Sequence, residues 1–396
     1  MKPAGLMRGA RALLLLTGLA LAACDREAGP AAINAQSPDE AEGNQGGGKK
    51  GEPIRNPQLA IPARGIYTGA YVDWGDKEDA VTLEGIEGFE ELVGKHQAIV
   101  ASSSYWGEQT FPDDNVRLIW RHGSVPLIFW SPWDRPYQEG RGPDKYSLTS
   151  IIAGEHDAYL DMWADHAREF GQPLIVSFAN EMNGAWFPWS GVLYGGDKPV
   201  PGSTPPRFQG PETFKSAYRH VVDRVRARGA RNVQWVLHLM NYSMPQEGWN
   251  LAAQYYPGPA YCDWLGFSLY GSQFPSDGEW APFTPLFDWP YTELALLDPQ
   301  KPIMVCEWGA AELPHLGSKA DWFREAFRVM KDPKYPRLKA CVVWHERWQN
   351  SEGDDAGKYS NLRVNSTPES LEAYRQGVAD PFYLGKPVIE PMADGK

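Results

Sequence analysis

What is scarce in this chain narrows its function first. Its 396 residues include only 4 cysteines, and no two of them form a Cys-x-x-Cys pair. Neither a disulfide framework nor a thiolate metal site finds support in that spacing. Positive charge is also short: 38 Lys and Arg face 50 Asp and Glu, a formal net charge of -12. A chain that acidic lacks the basic stripe that phosphate backbones require, so nucleic acid is not an expected partner. No His-Glu-x-x-His motif occurs, and His122 and His238 fall in separate segments without ligand spacing around them. No metal or other cofactor is therefore expected. A glycine-rich nucleotide fingerprint is missing after the first strand-like run. Tryptophan, by contrast, is abundant. Seventeen are more than packing alone usually demands, and aromatic faces that stack on sugar rings are one use for the excess.

The ends differ in character from the middle. Lys2, Arg8 and Arg11 precede an apolar run from Ala12 to Leu21, the charged and apolar regions of an export signal, and the run is too short to span a bilayer. It ends in Leu21-Ala22-Ala23-Cys24, which resembles the lipobox of bacterial lipoproteins, in which the cysteine is lipidated and becomes the mature N-terminus. Residues 1–23 thus read as a lipoprotein signal peptide, with a plain secretory peptide cut near Ala23 as the alternative. The expected location is the bacterial cell envelope, in the periplasm or at the surface, with a lipid on Cys24 as the membrane anchor. Residues 24–60, rich in Gly, Pro, Ala, Asn, Gln and charge, bury too little apolar surface to order themselves and read as a flexible linker. Cys262, Cys306 and Cys341 sit in apolar, strand-like contexts and read as buried free thiols.

The folded domain is expected over residues 61–390. Eight β-rich runs alternate there with amphipathic stretches: 66–72, 98–105, 125–130, 174–179, 233–239, 265–270, 303–307 and 341–345. Several are continuously apolar, as strands covered on both faces are. Between them, Glu155 to Phe170 places Tyr159, Met162, Trp163, Ala167 and Phe170 at helical spacing before Gly171 and Pro173, and Pro211 to Arg228 behaves likewise before Gly229. Eight strands with interleaved helices over this length predict an α/β fold of the (β/α)8 barrel type, with a doubly wound open sheet as runner-up.

In such a barrel, chemistry belongs where strands end and loops begin. The fourth run ends in Asn180-Glu181-Met182-Asn183-Gly184 and the seventh in Glu307-Trp308-Gly309, so both carboxylates are expected in one mouth. Cleaving a glycosidic bond needs a proton donor for the leaving oxygen and a carboxylate on the other side of the anomeric carbon. Glu181 is assigned as acid/base, with a pKa raised by its surroundings, and Glu307 as nucleophile, kept ionised by hydrogen bonds. Tyr270 is placed to donate one of those bonds, and Asn180 to bind a sugar 2-hydroxyl. The tryptophans at strand ends, Trp130, Trp133, Trp186, Trp189 and Trp344, are candidate sugar platforms, with Trp344 as the floor beneath the cleaved sugar. Each of them also has a packing alternative. Asp134 either binds a sugar or braces a loop, and His345, Glu346 and Arg347 are either subsite contacts or a salt-bridged loop.

These motifs resemble glycoside hydrolase family 26 over about residues 66–384. The resemblance rests on the stretch from Val125 to Asp134, on Asn180 through Trp189, on Tyr255-Tyr256-Pro257-Gly258 leading to Asp263-Trp264-Leu265-Gly266, on Lys301 through Gly309, and on the tail from Ser366 to Pro381. It implies retaining, endo-acting hydrolysis of a β-linked polysaccharide, first of all β-1,4-mannan. One position departs: family mannanases typically carry His before the acid/base, where this chain has Asn180. Asn there resembles the wider clan, many members of which act on sugars with an equatorial 2-hydroxyl, so a β-1,3-1,4-glucan or a related exopolysaccharide is the alternative substrate. A transglycosylase and a non-catalytic carbohydrate receptor are the readings outside hydrolysis.

Overall fold

The computed structural model describes residues 56–75, 77–134, 145–351 and 353–392. The signal peptide, Cys24 and nearly all of the linker lie outside these residues. Eight parallel strands form the frame, numbered here β1 Ile66–Val72, β2 Ile99–Tyr105, β3 Val125–Ser131, β4 Leu174–Phe178, β5 Val233–Met240, β6 Trp264–Tyr270, β7 Ile303–Gly309 and β8 Leu338–His345. Each pairs with the next, and β1 closes the ring on β8 in a continuous register from Tyr67 opposite Ala340 to Val72 opposite His345. The predicted (β/α)8 barrel is thus the observed one. The open sheet is excluded by the β1–β8 pairing, which leaves no edge.

Helices cover the outside. Leu83–Val93 (α1) is capped by the Thr82 hydroxyl, buries Ile86, Phe89 and Val93, and stops where Gly94 turns left-handed at φ 71°. Asp113–His122 (α2) ends in the same way at Gly123. Asp157–Phe170 (α3) and Gln209–Ala227 (α4) are the two helices expected from periodicity, with ends within two residues of those expected. No helix among the described residues is long and apolar enough to cross a membrane.

Alternation along the strands sorts the core. Tyr67, Tyr71, Ile99, Ala101, Leu127, Phe129, Ile175, Val236, Met304, Cys306, Ala340, Val342 and Trp344 share one buried cluster, which fills the barrel lumen. Their strand neighbours pack outward against the helices. The filling is tight: a methyl group on Gly266 would lie 2.4 Å from Cys306 Sγ. The entry end of the barrel is closed by Pro57–Leu59, paired antiparallel with Ile389–Pro391, and the amide of Gln234 holds the Leu59 main chain on both sides. Cys262, Cys306 and Cys341 are free and buried, as expected.

Candidate active site

The strand-to-loop turn after β4 is unusual. Ala179 and Glu181 both adopt left-handed backbone, at φ 50° and 56°, which costs a side-chain-bearing residue energy. The turn is held by Ala179 N–H donating to the Trp130 carbonyl, Glu181 N–H donating to the His238 carbonyl at 2.7 Å, and Trp189 Nε1 donating to the Asn180 carbonyl at 2.6 Å. Its effect is to aim the Glu181 carboxyl over the lumen, where Trp186 Nε1 donates to Oε2 at 2.9 Å.

A different device turns Glu307 inward. Met304 and Cys306 face the lumen from β7, so strict alternation would send Glu307 outward. The register shifts on both sides of this point, and Glu307 comes to lie opposite Ser268 while Trp308 takes the outward place. A bulge beside a site does this: it re-aims one side chain while keeping the strand in the sheet. Tyr270, at the end of β6, donates to Glu307 Oε2 at 2.6 Å, as expected.

The two carboxylates therefore meet. One oxygen of each, and a nitrogen of His238, all lie within 4.8 Å of one another. Burial pushes the Glu181 carboxyl up from its ordinary range against hydrogen bonds from Ser268 and Trp186. Burial, and next the charge of Glu181, push Glu307 well above it, with the Tyr270 hydroxyl opposing. The hydrogen bond expected to keep Glu307 ionised is present, and it works against burial and the charge of Glu181. Two buried carboxylates this close disfavour being ionised together, so the pair shares a proton more readily than two separate carboxyls would.

Several site groups were missed or misread in the sequence. His238, fully buried in β5, has Nδ1 2.9 Å from Ser177 Oγ and Nε2 2.7 Å from Ser268 Oγ, and burial pushes its pKa down to about 3. With both nitrogens engaged, it is a neutral strut beneath the pair rather than a ready metal ligand. Two further acids share the mouth. Glu78 accepts from Ser103 Oγ at 2.7 Å, and Glu346, which accepts from Trp344 Nε1 at 2.7 Å, is pushed up to about 8 by burial and by the charge of Glu78. A polar residue in an otherwise apolar strand was the available signal for His238.

The structure divides the tryptophans. Trp344 is lumen-facing with one face against Tyr71, ring centroids 3.7 Å apart. Trp186 is half-buried and orients Glu181. Trp130 is corrected: it points outward, stacks on Trp163 at 4.1 Å and donates to the Tyr159 hydroxyl, so no sugar reaches it. Trp133 and Trp189 are corrected too, being buried against Phe187 and each other as braces of the β4 turn. Asn180 is 7% exposed beside the acid, with no hydrogen bond to its side chain from the described residues. Asp134 pairs with Lys145, His345 Nδ1 accepts from Val364 N–H, and Arg347 lies over the Tyr359 ring.

Residues 150–295 match the model described as Glycosyl hydrolase family 26. Over that segment the chain is similar to the family. It is 30% identical over 321 residues to Endoglucanase H of Acetivibrio thermocellus, covering 79% of this chain and 30% of that one. Similarity to Beta-1,3-xylanase TXYA of a Vibrio species is 22% over 60% of this chain and 50% of the relative, and to Mannan endo-1,4-beta-mannosidase of Bacillus subtilis 24% over 72% and 75%. The chain thus spans less than a third of the first relative and half of the second. Among solved structures, an endo-beta-1,4-mannanase of Cellulomonas fimi (TM-score 0.56, 20% identity, 81% of this chain and 72% of that one) and one of Bacillus sp. JAMB-750 (0.56, 19%, 81% and 87%) share its fold. The matched segment takes in the β4 turn with Asn180 and Glu181, as well as β5 and β6 with His238, Ser268 and Tyr270.

Proposed function

We propose that this chain hydrolyses a β-linked polysaccharide internally and with retention of configuration. Glu307 attacks the anomeric carbon. Glu181 first gives its proton to the leaving oxygen and then takes one from the water that releases the covalent intermediate. The observation that carries this reading is the approach of the two carboxylates to within 4.8 Å. A gap of about 5 to 5.5 Å allows direct attack, whereas inversion needs roughly 6.5 to 9.5 Å to admit a water. The shared proton belongs on Glu181, because the 2.6 Å bond from Tyr270 has the length of a hydroxyl donating to an anion. His238 and Ser268 hold the pair in place from below.

The first substrate on this reading is β-1,4-mannan, supported by the mannosidase relative and by the family resemblance. A β-glucan is the second reading. It is favoured by Asn180, whose amide suits an equatorial 2-hydroxyl, and by the higher identity to a relative named an endoglucanase. The test is a panel of mannan, mixed-linkage glucan, cellulose and 1,3-xylan, with reducing ends counted and the anomer of the first product read by NMR. Release of oligosaccharides with the β-anomer formed first is expected. An α-anomer overturns retention, and transfer to an added sugar acceptor in place of hydrolysis marks a transglycosylase. We also propose that Cys24 carries a lipid that tethers the barrel to a membrane; Cys24→Ala is then expected to move the protein to the soluble fraction, and unchanged partition overturns the proposal.

A further inference from the structure

On the outside of the barrel, at its entry end, three side chains converge that the carboxylate mouth does not use. Glu90 lies in the last turn of α1, His96 in the loop that leads into β2, and His122 at the last position of α2. Glycines 94 and 123 end the two helices in left-handed backbone, and this brings the helix ends together. His96 Nδ1 is 2.8 Å from Glu90 Oε1, and His122 Nε2 is 3.1 Å from the same oxygen. The three atoms lie within 4.8 Å of one another.

We propose that Glu90, His96 and His122 form a binding site for a divalent transition-metal ion, zinc being the best fit. Two imidazole nitrogens and a carboxylate oxygen are ligands zinc prefers over magnesium or calcium, which seek oxygen. With bonds of about 2.0 to 2.1 Å, neighbouring ligand atoms in a tetrahedral site stand roughly 3.3 Å apart, so the two spacings to Glu90 need open by only a few tenths of an ångström, and the two imidazole nitrogens already lie within 4.8 Å of each other. His122 Nε2 is the telling atom. It is shielded from solvent and has no well-directed hydrogen bond among the described residues, an unfavourable state that a metal bond relieves. Across its ring, His96 Nε2 faces the Gly123 carbonyl at 3.4 Å, the outer partner that fixes a ligating imidazole with its proton on the far nitrogen. The side chains of Glu90, His96 and His122 are 15, 27 and 11% exposed, so an ion enters without unfolding and water completes the fourth position. The positive charge of Lys386 acts on His96 and weakens the site somewhat. Bound metal would tie the end of α2 to the start of β2, a clamp on two successive βα units. It involves no group of the mouth.

The experiment takes the full chain stripped with a chelator and titrates zinc chloride, then magnesium chloride, by calorimetry and by thermal melting. One equivalent of zinc is expected to bind and to raise the melting temperature progressively with concentration, and magnesium to do neither. His122→Asn is expected to weaken zinc at least about tenfold while its turnover of the polysaccharide stays unchanged. Should that variant fail to fold, Glu90→Gln gives the same reading with less change of shape. Glu181→Gln is expected to keep the full zinc response. The proposal is overturned if the unmodified chain ignores zinc in large excess, if the His122 and Glu90 variants bind it as tightly as the parent, or if the response is lost in Glu181→Gln.

Discussion

Acidic side chains meet opposite fates in two regions of this barrel. Between α3 and α4 they are neutralised: Arg224 grips Asp161 with two bonds of 2.6 and 2.8 Å, Arg228 grips Asp165, and His220 lies 2.7 Å from Asp157. The Arg228 hydrogen bond holds Asp165 below its usual range. At the mouth, Glu78, Glu181, Glu307 and Glu346 gather in one buried space, and burial with mutual repulsion pushes Glu181, Glu307 and Glu346 upward. Paired acids hold a surface together. Crowded, buried ones hold a proton more tightly than free carboxyls do, which is what a general acid needs.

The strongest way to break this contrast is to remove the charge in the mouth. Glu307→Gln is expected to lower turnover by at least about 10^4-fold on every substrate, since no other group forms the intermediate. Glu181→Gln should cost about 10^2- to 10^4-fold on polysaccharide, yet far less on an aryl glycoside whose leaving group needs no proton. It should also erase the alkaline limb of the pH profile. Equal losses on both substrates would remove Glu181 from its role. Next comes Tyr270→Phe. Losing a donor to a charged carboxylate costs about 1.5 to 3 kcal/mol, or roughly 10- to 100-fold in kcat/KM, and the acid limb should move to higher pH as Glu307 holds its proton more tightly.

Smaller effects sharpen the comparison. The folded-state pKa of Glu346, about 8, lies above the ordinary 4.5, so the folded state binds the extra proton in that window and loses stability as pH rises through it. Glu346→Gln should therefore raise the melting temperature at pH 8 and make little difference below pH 4.5. A gain independent of pH would show that its charge is not the cause. Asp165→Asn, at an exposed pair, should leave turnover unchanged and the melting temperature nearly so.

Much of this was legible in the residues. The eight strand runs, the ends of α3 and α4, and the address of Glu181 follow from local periodicity and from breakers such as Gly171 and Gly229. Tyr270 and Glu307 were placed together because each closes an apolar run beside the other. Trp130 shows where such reading stops. In a strand buried on both faces, sequence does not tell which alternate residues face the lumen, and the expected sugar platform turned out to be packing behind the sheet.

The sequence by itself determined the barrel class, the two glutamates and the strand ends that carry them, because alternation, turn residues and strand boundaries act over a few neighbours. Tertiary structure alone decided the inward turn of Glu307, which depends on a bulge against both flanking strands, and the His238 strut, which needs Ser177 and Ser268 from two other strands. It also decided the meeting of Glu90, His96 and His122. Contacts of that kind are made across space by closing the ring, and no local pattern encodes them.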